Sequence, residues 1–296
     1  MRIDCHNHPD WHGTDLTKFV ANLDRNQIDK SFVLSWECNV DEYEPDSARY
    51  FAYGPEGPIP FSRCLSYVER APDRFLLGFA PDPRKPDACE RLRAMTAIYG
   101  VQMCGELKLR MMYDDLDALR MYRVAGELGL PVLVHIDYEF PNSYNFPRPN
   151  WWYGGGIEPF ARAVAACPDT VFIGHAPGFW AHISNDDQFD KVAYPSGRVV
   201  PGGRIVQLLD RYPNLYCDTS GGSGCNALKR DPAYAREFLL QYQDRILFGR
   251  DDFNSDLQDF LDSLALPEEV RAKIDSGNLE RLLAQGAARR AWRAIP

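Results

Sequence analysis

The feature that most constrains this chain is a regular alternation of short apolar segments with amphipathic helical segments. Helical patterns stand between consecutive apolar segments, and one of them, 115–128, is stopped by Gly129. Because strands separated by helices pair in parallel through right-handed crossovers, the alternation predicts an α/β fold with a parallel sheet. The eight predicted strands cover 1–8, 31–36, 75–80, 101–109, 131–135, 170–175, 214–218 and 245–249.

Eight such units in 296 residues fit a closed (β/α)8 barrel, the TIM barrel. A doubly wound open sheet is the structural alternative, because it also accommodates eight strands. Neither G-x-G-x-x-G nor G-x-x-x-x-G-K-[ST], the phosphate-binding loops of many such sheets, occurs in the sequence. We therefore predict a single TIM-barrel domain over 1–296, with long loops at the carboxyl ends of the strands.

Charge and composition exclude several classes of partner. The formal net charge is −9 without a Lys/Arg cluster, so nucleic acids and anionic membranes are poor candidates. No apolar run is long enough to span a bilayer, and the opening residues lack the apolar core of a signal peptide. We expect a cytoplasmic protein that binds a small molecule, with homo-oligomerisation left open. The eight cysteines show no C-x-x-C spacing and are expected to be free thiols.

Histidines and charged residues gather at the carboxyl ends of the predicted strands. In a barrel these ends converge on one face, so residues far apart in sequence are expected to meet there. The residues concerned are His6, His8, Glu106, Lys108, His135, His175 and Asp251.

The first strand supplies the strongest local signal for a metal. His6 and His8 are two residues apart, and side chains at that spacing on a strand project from the same face. Neutral imidazole is the commonest protein ligand for zinc and similar ions. The pair therefore predicts half of a metal site, although a His-x-His triplet also occurs by chance.

The ordered set of strand-end motifs comprises Asp4-Cys5-His6-Asn7-His8, a strand-four acid or lysine, His135, His175 and Gly249-Arg250-Asp251. This set resembles the amidohydrolase superfamily of metal-dependent barrel enzymes. The similar branch of that superfamily holds both hydrolases and non-oxidative decarboxylases. The resemblance covers the whole chain, including segment 277–283, but no flanking β-sandwich domain precedes the first strand.

The resemblance implies that His6, His8 and His135 ligate a divalent ion, with zinc the first expectation and a second ion left open. It implies that Asp251 completes the site or acts as general base, and that His175 ligates a second ion or orients the substrate. The chemistry agrees, because three nitrogens and one carboxylate leave Zn²⁺ an exchangeable position where bound water has a pKa of about 7.

Glu106 and Lys108 are two residues apart on the fourth strand and should face the same way. Glu106 is predicted to ligate or bridge the metal, and Lys108 to bind a substrate carboxylate. In some relatives a strand-four lysine is carboxylated and bridges two metals, which is one alternative. A buried Glu106–Lys108 ion pair inside the barrel is another.

The other candidates also have structural alternatives. His135 and His175 could be core histidines that donate to backbone carbonyls. Asp251 could cap a helix or pair with Arg250. His12 and His182 fall outside the strand ends and are predicted to be surface or lid residues.

Cationic residues near the predicted active face indicate an acidic substrate. Arginine can clamp a carboxylate through two parallel hydrogen bonds. We predict that Lys108, Arg110 and Arg250 bind the substrate, and Arg148 lies in the same region.

Two long loops, 137–156 and 176–203, follow the fifth and sixth strands and carry aromatic residues. Loops of this length on the active face are commonly lids that wall a pocket. Trp151 and Trp152 could instead form a subunit contact.

These expectations together predict a metal-dependent hydrolase that activates a zinc-bound water against an amide, ester or lactone bond of a small, carboxylated molecule. A decarboxylase or hydratase on the same scaffold is the alternative. A barrel whose vestigial site serves assembly is a third reading.

Overall fold

The computed structural model describes residues 1–42, 56–139 and 152–293. All strand pairs in it are parallel, and each predicted strand is present in a shorter form. The strands are β1 (Ile3–Asp4), β2 (Lys30–Val33), β3 (Phe75–Leu77), β4 (Cys104–Leu107), β5 (Val132–His135), β6 (Phe172–His175), β7 (Leu215–Asp218) and β8 (Ile246–Leu247).

The strands form two hydrogen-bonded runs, β1 to β3 and β4 to β8, which two seams join into a closed barrel. At one seam, the amide of Phe79 donates to the carbonyl of Met103 (3.0 Å). At the other, the amide of Cys5 donates to the carbonyl of Phe248 (3.0 Å). The strand order therefore runs around the barrel in chain order, as in a TIM barrel. The open-sheet alternative is wrong.

Helices follow the strands and cover the outside of the barrel. They are α1 (Leu16–Arg25), α2 (Phe61–Arg70), α3 (Ala88–Tyr99), α4 (Leu116–Glu127), α5 (Ile157–Ala166), α6 (Pro177–Trp180), α7 (Arg204–Arg211), α8 (Gly221–Lys229), α9 (Pro232–Gln241), α10 (Asp256–Ser263), α11 (Glu268–Ala272) and α12 (Asn278–Arg293). Asp15 caps α1 by accepting from the amide of Lys18 (2.9 Å).

Sequence patterning misses three helices on the active side, α6, α8 and α10. Helix α8 opens with Gly221 and Gly222 and has Gly224 within its first turn. Glycine has low helix propensity, so its sequence reads as a loop, and tertiary packing overrides that preference. Helix α6 has only four residues and lies inside the predicted loop 176–203.

The apolar core has an inner and an outer layer. One buried cluster takes residues from the strands and is closed by Leu279 and Leu282 of α12. Its strand members include Phe32, Leu133 and Ile173, which alternate with residues facing the helices. This inner layer fills the barrel below the strand ends. Polar side chains that point into the barrel therefore meet at its carboxyl mouth.

The described helices include none with the length and apolar character needed to cross a membrane. All eight cysteines are free thiols.

Candidate metal centre

A buried polar cluster lies at the carboxyl mouth of the barrel. It brings together side chains from six strand ends, and their nitrogen and oxygen atoms form three groups within 4.8 Å. The groups are His6–His8–Asp251, Glu106–His135–His175 and His6–His175–Asp218. The strand-end arrangement predicted from sequence thus places these side chains in one cluster.

His6 and His8 meet through their Nε2 atoms, which lie 3.3 Å apart. They do not meet through the predicted strand geometry, because β1 ends at Asp4 and both histidines follow it. Nδ1 of His8 donates to the carbonyl oxygen of Leu34 (2.8 Å), and the amide of His6 donates to Asp4. The irregular segment is held by these bonds, so both Nε2 atoms face the barrel mouth.

Glu106 presents its two carboxylate oxygens to different neighbours. Oε2 lies 3.1 Å from Nε2 of His8 and 3.5 Å from Nε2 of His6. Oε1 accepts a hydrogen bond from Nδ1 of His135 (2.6 Å) and lies 3.8 Å from Nε2 of His175. The carboxylate is buried and occupies a position from which it could ligate or bridge ions.

Asp251 completes the first group. Its backbone has a φ of 48°, and its amide donates to the carbonyl of His6 (2.8 Å). Oδ1 lies 3.6 Å from Nε2 of His8 and 4.0 Å from Nε2 of His6. This oxygen is buried and has no hydrogen-bond partner among the described residues. A buried carboxylate oxygen without a donor is costly, so its position calls for a cation or another partner.

The donor set fits a divalent ion. Around a tetrahedral zinc with bonds of about 2.0–2.1 Å, neighbouring ligand atoms are about 3.3 Å apart. The five separations given above among His6, His8, Glu106 and Asp251 range from 3.1 to 4.0 Å. Imidazole nitrogens and carboxylate oxygens suit zinc and manganese alike. His6, His8, Glu106 and Asp251 would hold such an ion.

His135 and His175 both face Oε1 of Glu106, and the ring of His175 also lies 4.4 Å from that of His6. Nε2 of His135 is 3.3 Å from Oδ2 of Asp137, and its ring is 5.3 Å from that of His175. Nε2 of His175 is 3.8 Å from Oδ2 of Asp251. His135 therefore contacts the His6–His8 pair through Glu106, in a position suited to a second ion or to orienting Glu106.

Sequence reasoning missed Asp218 and Ser220, which lie beneath the histidines. Asp218 is fully buried at the end of β7, and its Oδ2 is 2.7 Å from Nδ1 of His6 and 3.1 Å from Nδ1 of His175. The hydroxyl of Ser220 donates to the same oxygen (2.6 Å). The strand-end rule applied to β7 would have selected Asp218, since it is the last residue of that strand.

Electrostatics tie these groups together. Burial opposes protonation of His6, but the charges of Asp251 and Glu106 outweigh it and raise the His6 pKa well above its usual value. Burial would raise the pKa of Glu106, but His6 and His135 hold it well below its usual range. Without an ion, a proton on His6 supplies the positive charge beside these carboxylates, and a bound cation would replace that proton, because imidazole ligates metal only in its neutral form.

Comparison with known proteins identifies the family. The sequence profile of the family described as Amidohydrolase matches residues 3–289. The chain belongs to the amidohydrolase family. No curated protein matches the chain.

Solved structures share the fold at low sequence identity. An uncharacterised TIM-barrel protein from Bordetella bronchiseptica is 16% identical, with a TM-score of 0.64 over 97% of this chain and 99% of that one. A dihydroxybenzoic acid decarboxylase from Polaromonas, with bound manganese and the inhibitor 2-nitroresorcinol, is 16% identical (TM-score 0.55, 96% of each chain). A putative 2-pyrone-4,6-dicarboxylic acid hydrolase from Pseudomonas putida is 14% identical (TM-score 0.58, 96% and 97%).

The cationic residues predicted to bind substrate take different positions in this chain. Nζ of Lys108 lies over the rings of Trp36 and Tyr153, 4.8 and 5.1 Å from their centroids. Arg110 turns away, since its Nη1 donates to the carbonyl of Asp41 (3.0 Å). Only Lys108 of these two is buried at the barrel mouth.

Arg250 is 4% exposed and forms a buried ion pair with Asp4 (Nε to Oδ2, 3.0 Å). Its Nη1 donates to Asn22 (2.7 Å), while Nη2 is buried without a hydrogen-bond partner among the described residues. Two of its three nitrogens thus join β1, α1 and the segment after β8.

Arg250 also lines a cavity of about 540 Å³ together with Gly221, Gly222 and Tyr194. A Cβ atom placed on Gly221 would lie 3.5 Å from Cε1 of His175 and 3.7 Å from Oδ2 of Asp251. The cavity therefore adjoins the metal centre, and the glycine leaves open the approach to it.

The lid predictions are tested only in part. Arg148, Trp151 and residues 140–150 of the first loop lie outside the described residues. Of the two positions predicted for His182, surface or lid, the surface position is wrong, because this residue is 7% exposed in a short 3-10 segment of the second loop. Its Nε2 accepts a hydrogen bond from the hydroxyl of Tyr138 (2.7 Å), which links the loops after β5 and β6.

Proposed function

We propose that this chain is a metal-dependent hydrolase that cleaves an amide, ester or lactone bond of a small, carboxylated molecule. The observation that carries the proposal is the buried Oδ1 of Asp251, which faces His6 and His8 without a hydrogen-bond partner in the described part of the chain. His6, His8, Glu106 and Asp251 hold the ion, and zinc is the first candidate.

The ion, when bound, supplies Lewis acidity, which lowers the pKa of coordinated water and polarises a carbonyl oxygen. Asp251 is the general base, because its carboxylate lies at the edge of the ligand group and its Oδ2 is 3.7 Å from the Cβ position of Gly221, which lines the adjoining cavity. His175 is the second proton carrier, with Nε2 3.8 Å from Oδ2 of Asp251. These two side chains can accept a proton and return it to the leaving group.

Glu106 and His135 leave room for a second ion in this proposal. Oε1 of Glu106 faces His135 and His175, whereas Oε2 faces the first pair of histidines. Glu106 could therefore help to hold two ions, and such a pair would supply binuclear hydrolytic chemistry. The metal-to-protein ratio decides between one ion and two.

The substrate enters through the cavity beside Gly221 and orients its carboxylate toward cationic groups. Lys108 is held by two aromatic faces at the barrel mouth, where its charge is poorly solvated and acts strongly. Arg250 lines the same cavity, and its buried Nη2 is a donor without a hydrogen-bond partner among the described residues. Arg110 contributes only if its contact with Asp41 is released.

A decarboxylase is the second candidate. The Polaromonas structure that shares this fold is a dihydroxybenzoic acid decarboxylase with bound manganese. The same ligand set and cationic groups would hold a carboxylated aromatic acid, with manganese as the ion and His175 or Asp251 as the proton donor to carbon.

The experiment measures metal content and product together. The chain, purified without chelators, is analysed for zinc and manganese and then incubated with panels of lactones, amides and aromatic acids. A new carboxylate with its leaving group supports the hydrolase, and carbon dioxide release supports the decarboxylase. A chain that neither contains nor takes up either metal would overturn both candidates and favour a vestigial site.

A further inference from the structure

Asp218 receives more hydrogen bonds than any ligand of the proposed ion described above. Its Oδ2 accepts from Nδ1 of His6 (2.7 Å), Nδ1 of His175 (3.1 Å) and the hydroxyl of Ser220 (2.6 Å). Its Oδ1 accepts from the amide of Ser220 (2.8 Å) and the thiol of Cys5 (3.5 Å). One fully buried carboxylate thus serves three elements of the barrel.

The short distances show that this group holds protons rather than an ion. The 2.7 Å between Oδ2 and Nδ1 of His6 is a hydrogen-bond length and is shorter than the separation of about 3.3 Å between ligands of a tetrahedral ion. The ion-sized separations lie on the opposite edges of the rings, among the Nε2 atoms.

The contacts of Asp218 make both of its carboxylate oxygens acceptors. Oδ1 faces the amide of Ser220, which can only donate, and Oδ2 accepts from the hydroxyl of Ser220. An ionised carboxylate has no proton to donate. Both imidazoles that contact Oδ2 must therefore carry a proton on Nδ1.

We propose that Asp218 is a positioning residue that fixes the proton of His6 and the proton of His175 on Nδ1 through one shared oxygen, Oδ2. The neutral rings then direct their Nε2 lone pairs toward Glu106 and Asp251. The expected effect of Asp218 on metal binding rests on the proposed function. The predicted positions of the ring protons do not depend on it. Because both rings donate to the same oxygen, a change of charge on His6 alters the hydrogen bond that His175 makes with that oxygen.

His8 provides an internal control. Its Nδ1 donates to the backbone carbonyl of Leu34 (2.8 Å) and has no contact with Asp218 among those the structure shows. The same orientation of Nε2 is reached at His8 with a neutral acceptor. Removing the Asp218 carboxylate should therefore leave the His8 tautomer unchanged.

The test locates the ring protons by long-range ¹H–¹⁵N NMR of metal-free protein with ¹⁵N-labelled histidine, at an alkaline pH at which His6, whose pKa is raised, has lost its second proton. The wild type should carry its proton on Nδ1 in His6, His8 and His175. In Asp218→Asn, whose amide offers only one acceptor oxygen, at least one of His6 and His175 should carry it on Nε2, while His8 is unchanged. Ser220→Ala removes the other oxygen near these Nδ1 atoms, 3.1 Å from His6 and 3.0 Å from His175, and should preserve all three tautomers because Asp218 remains. Loss of Nδ1–H in Ser220→Ala would show that the hydroxyl, and not Asp218, sets the tautomers.

A wild-type Nε2–H tautomer in His6 or His175 would overturn the proposal, as would an Asp218→Asn protein in which both rings keep Nδ1–H. The wild-type spectrum decides even if the variant does not fold. Zinc titration adds a second readout, since affinity should fall about 10- to 100-fold in Asp218→Asn. A wild type that binds no metal would overturn the proposed function and leave the tautomer result standing.

Discussion

Nε2 of His6 lies 3.3 Å from Nε2 of His8, and Nδ1 of each ring is hydrogen-bonded to the barrel wall. Both rings are therefore fixed before any ion arrives. Preorganised ligands bind metal without a large ordering cost.

The first prediction follows from this pair. His6→Ala and His8→Ala should each lower zinc or manganese affinity by at least about 100-fold and reduce activity in parallel, because each removes one ligand of the ion. Metal content after dialysis, measured by atomic emission, tests the assignment. His12→Ala is the matched control, since that ring contacts Trp11 at the surface. Full metal occupancy in both His6→Ala and His8→Ala would contradict the assignment of these residues as ligands.

The second prediction concerns Asp251. Asp251→Asn should reduce kcat by about 10²- to 10⁴-fold, the range for loss of a general base. The amide is close in size to the carboxylate, so we expect thermal unfolding to change little. Turnover near the wild-type value would remove Asp251 from the proposed mechanism, and a large fall in Tm would show that its role is structural.

The third prediction separates structural from substrate-binding roles of Arg250. Asp4→Asn leaves the buried guanidinium without its counter-charge and should reduce the free energy of unfolding by about 3–5 kcal/mol. Arg250→Met combined with Asp4→Asn should restore part of that loss. Chemical denaturation of the single and double variants measures the coupling. Additive losses would mean that the Asp4–Arg250 pair contributes no coupling energy.

The fourth prediction concerns stability at acid pH. Burial lowers the pKa of His182 to about 4, and Glu158, Asp190 and Arg204 act on the same ring. In the unfolded chain His182 binds a proton below about pH 6.5, whereas in the native chain it does so only below about pH 4. Stability from this residue is therefore complete above pH 6.5 and is lost as pH falls toward 4.

At about 1.4 kcal/mol per pKa unit, the loss is about 3 kcal/mol. His182→Gln should lose less stability than the wild type between pH 7.5 and pH 4, as measured by urea denaturation. Equal losses in the two proteins would show that His182 is not the group responsible.

The sequence was sufficient to predict the barrel, because each strand end is followed by a helix and the polar residues cluster at one end of the strands. It also placed Glu106 near His8. It could not reveal that Glu106 divides its oxygens between two groups of histidines, since this depends on side-chain torsions. Helix α8 was missed because three glycines hide a helix whose stability comes from packing.

Asp218 was overlooked for a different reason. Its strand was recognised, but an aspartate after Cys217 has no local motif, and its role depends on contacts with His6, which is 212 residues away. Arg250 was assigned to substrate from its position near the predicted active face, whereas two of its nitrogens bind Asp4 and Asn22. Chemical type could be read from the sequence, but the partner of each charge could not.

The seam between β1 and β8 determines when the proposed metal centre can form. Asp4 and Arg250, which flank the ligands on the two sides of this seam, are 246 residues apart in the chain. Closing so long a loop is entropically costly and slow, and a chain still emerging from the ribosome lacks the Asp251 half of the centre. We therefore expect the ion to bind late in biogenesis, after the barrel has closed. An incompletely synthesised chain lacks the complete site and would not bind zinc there.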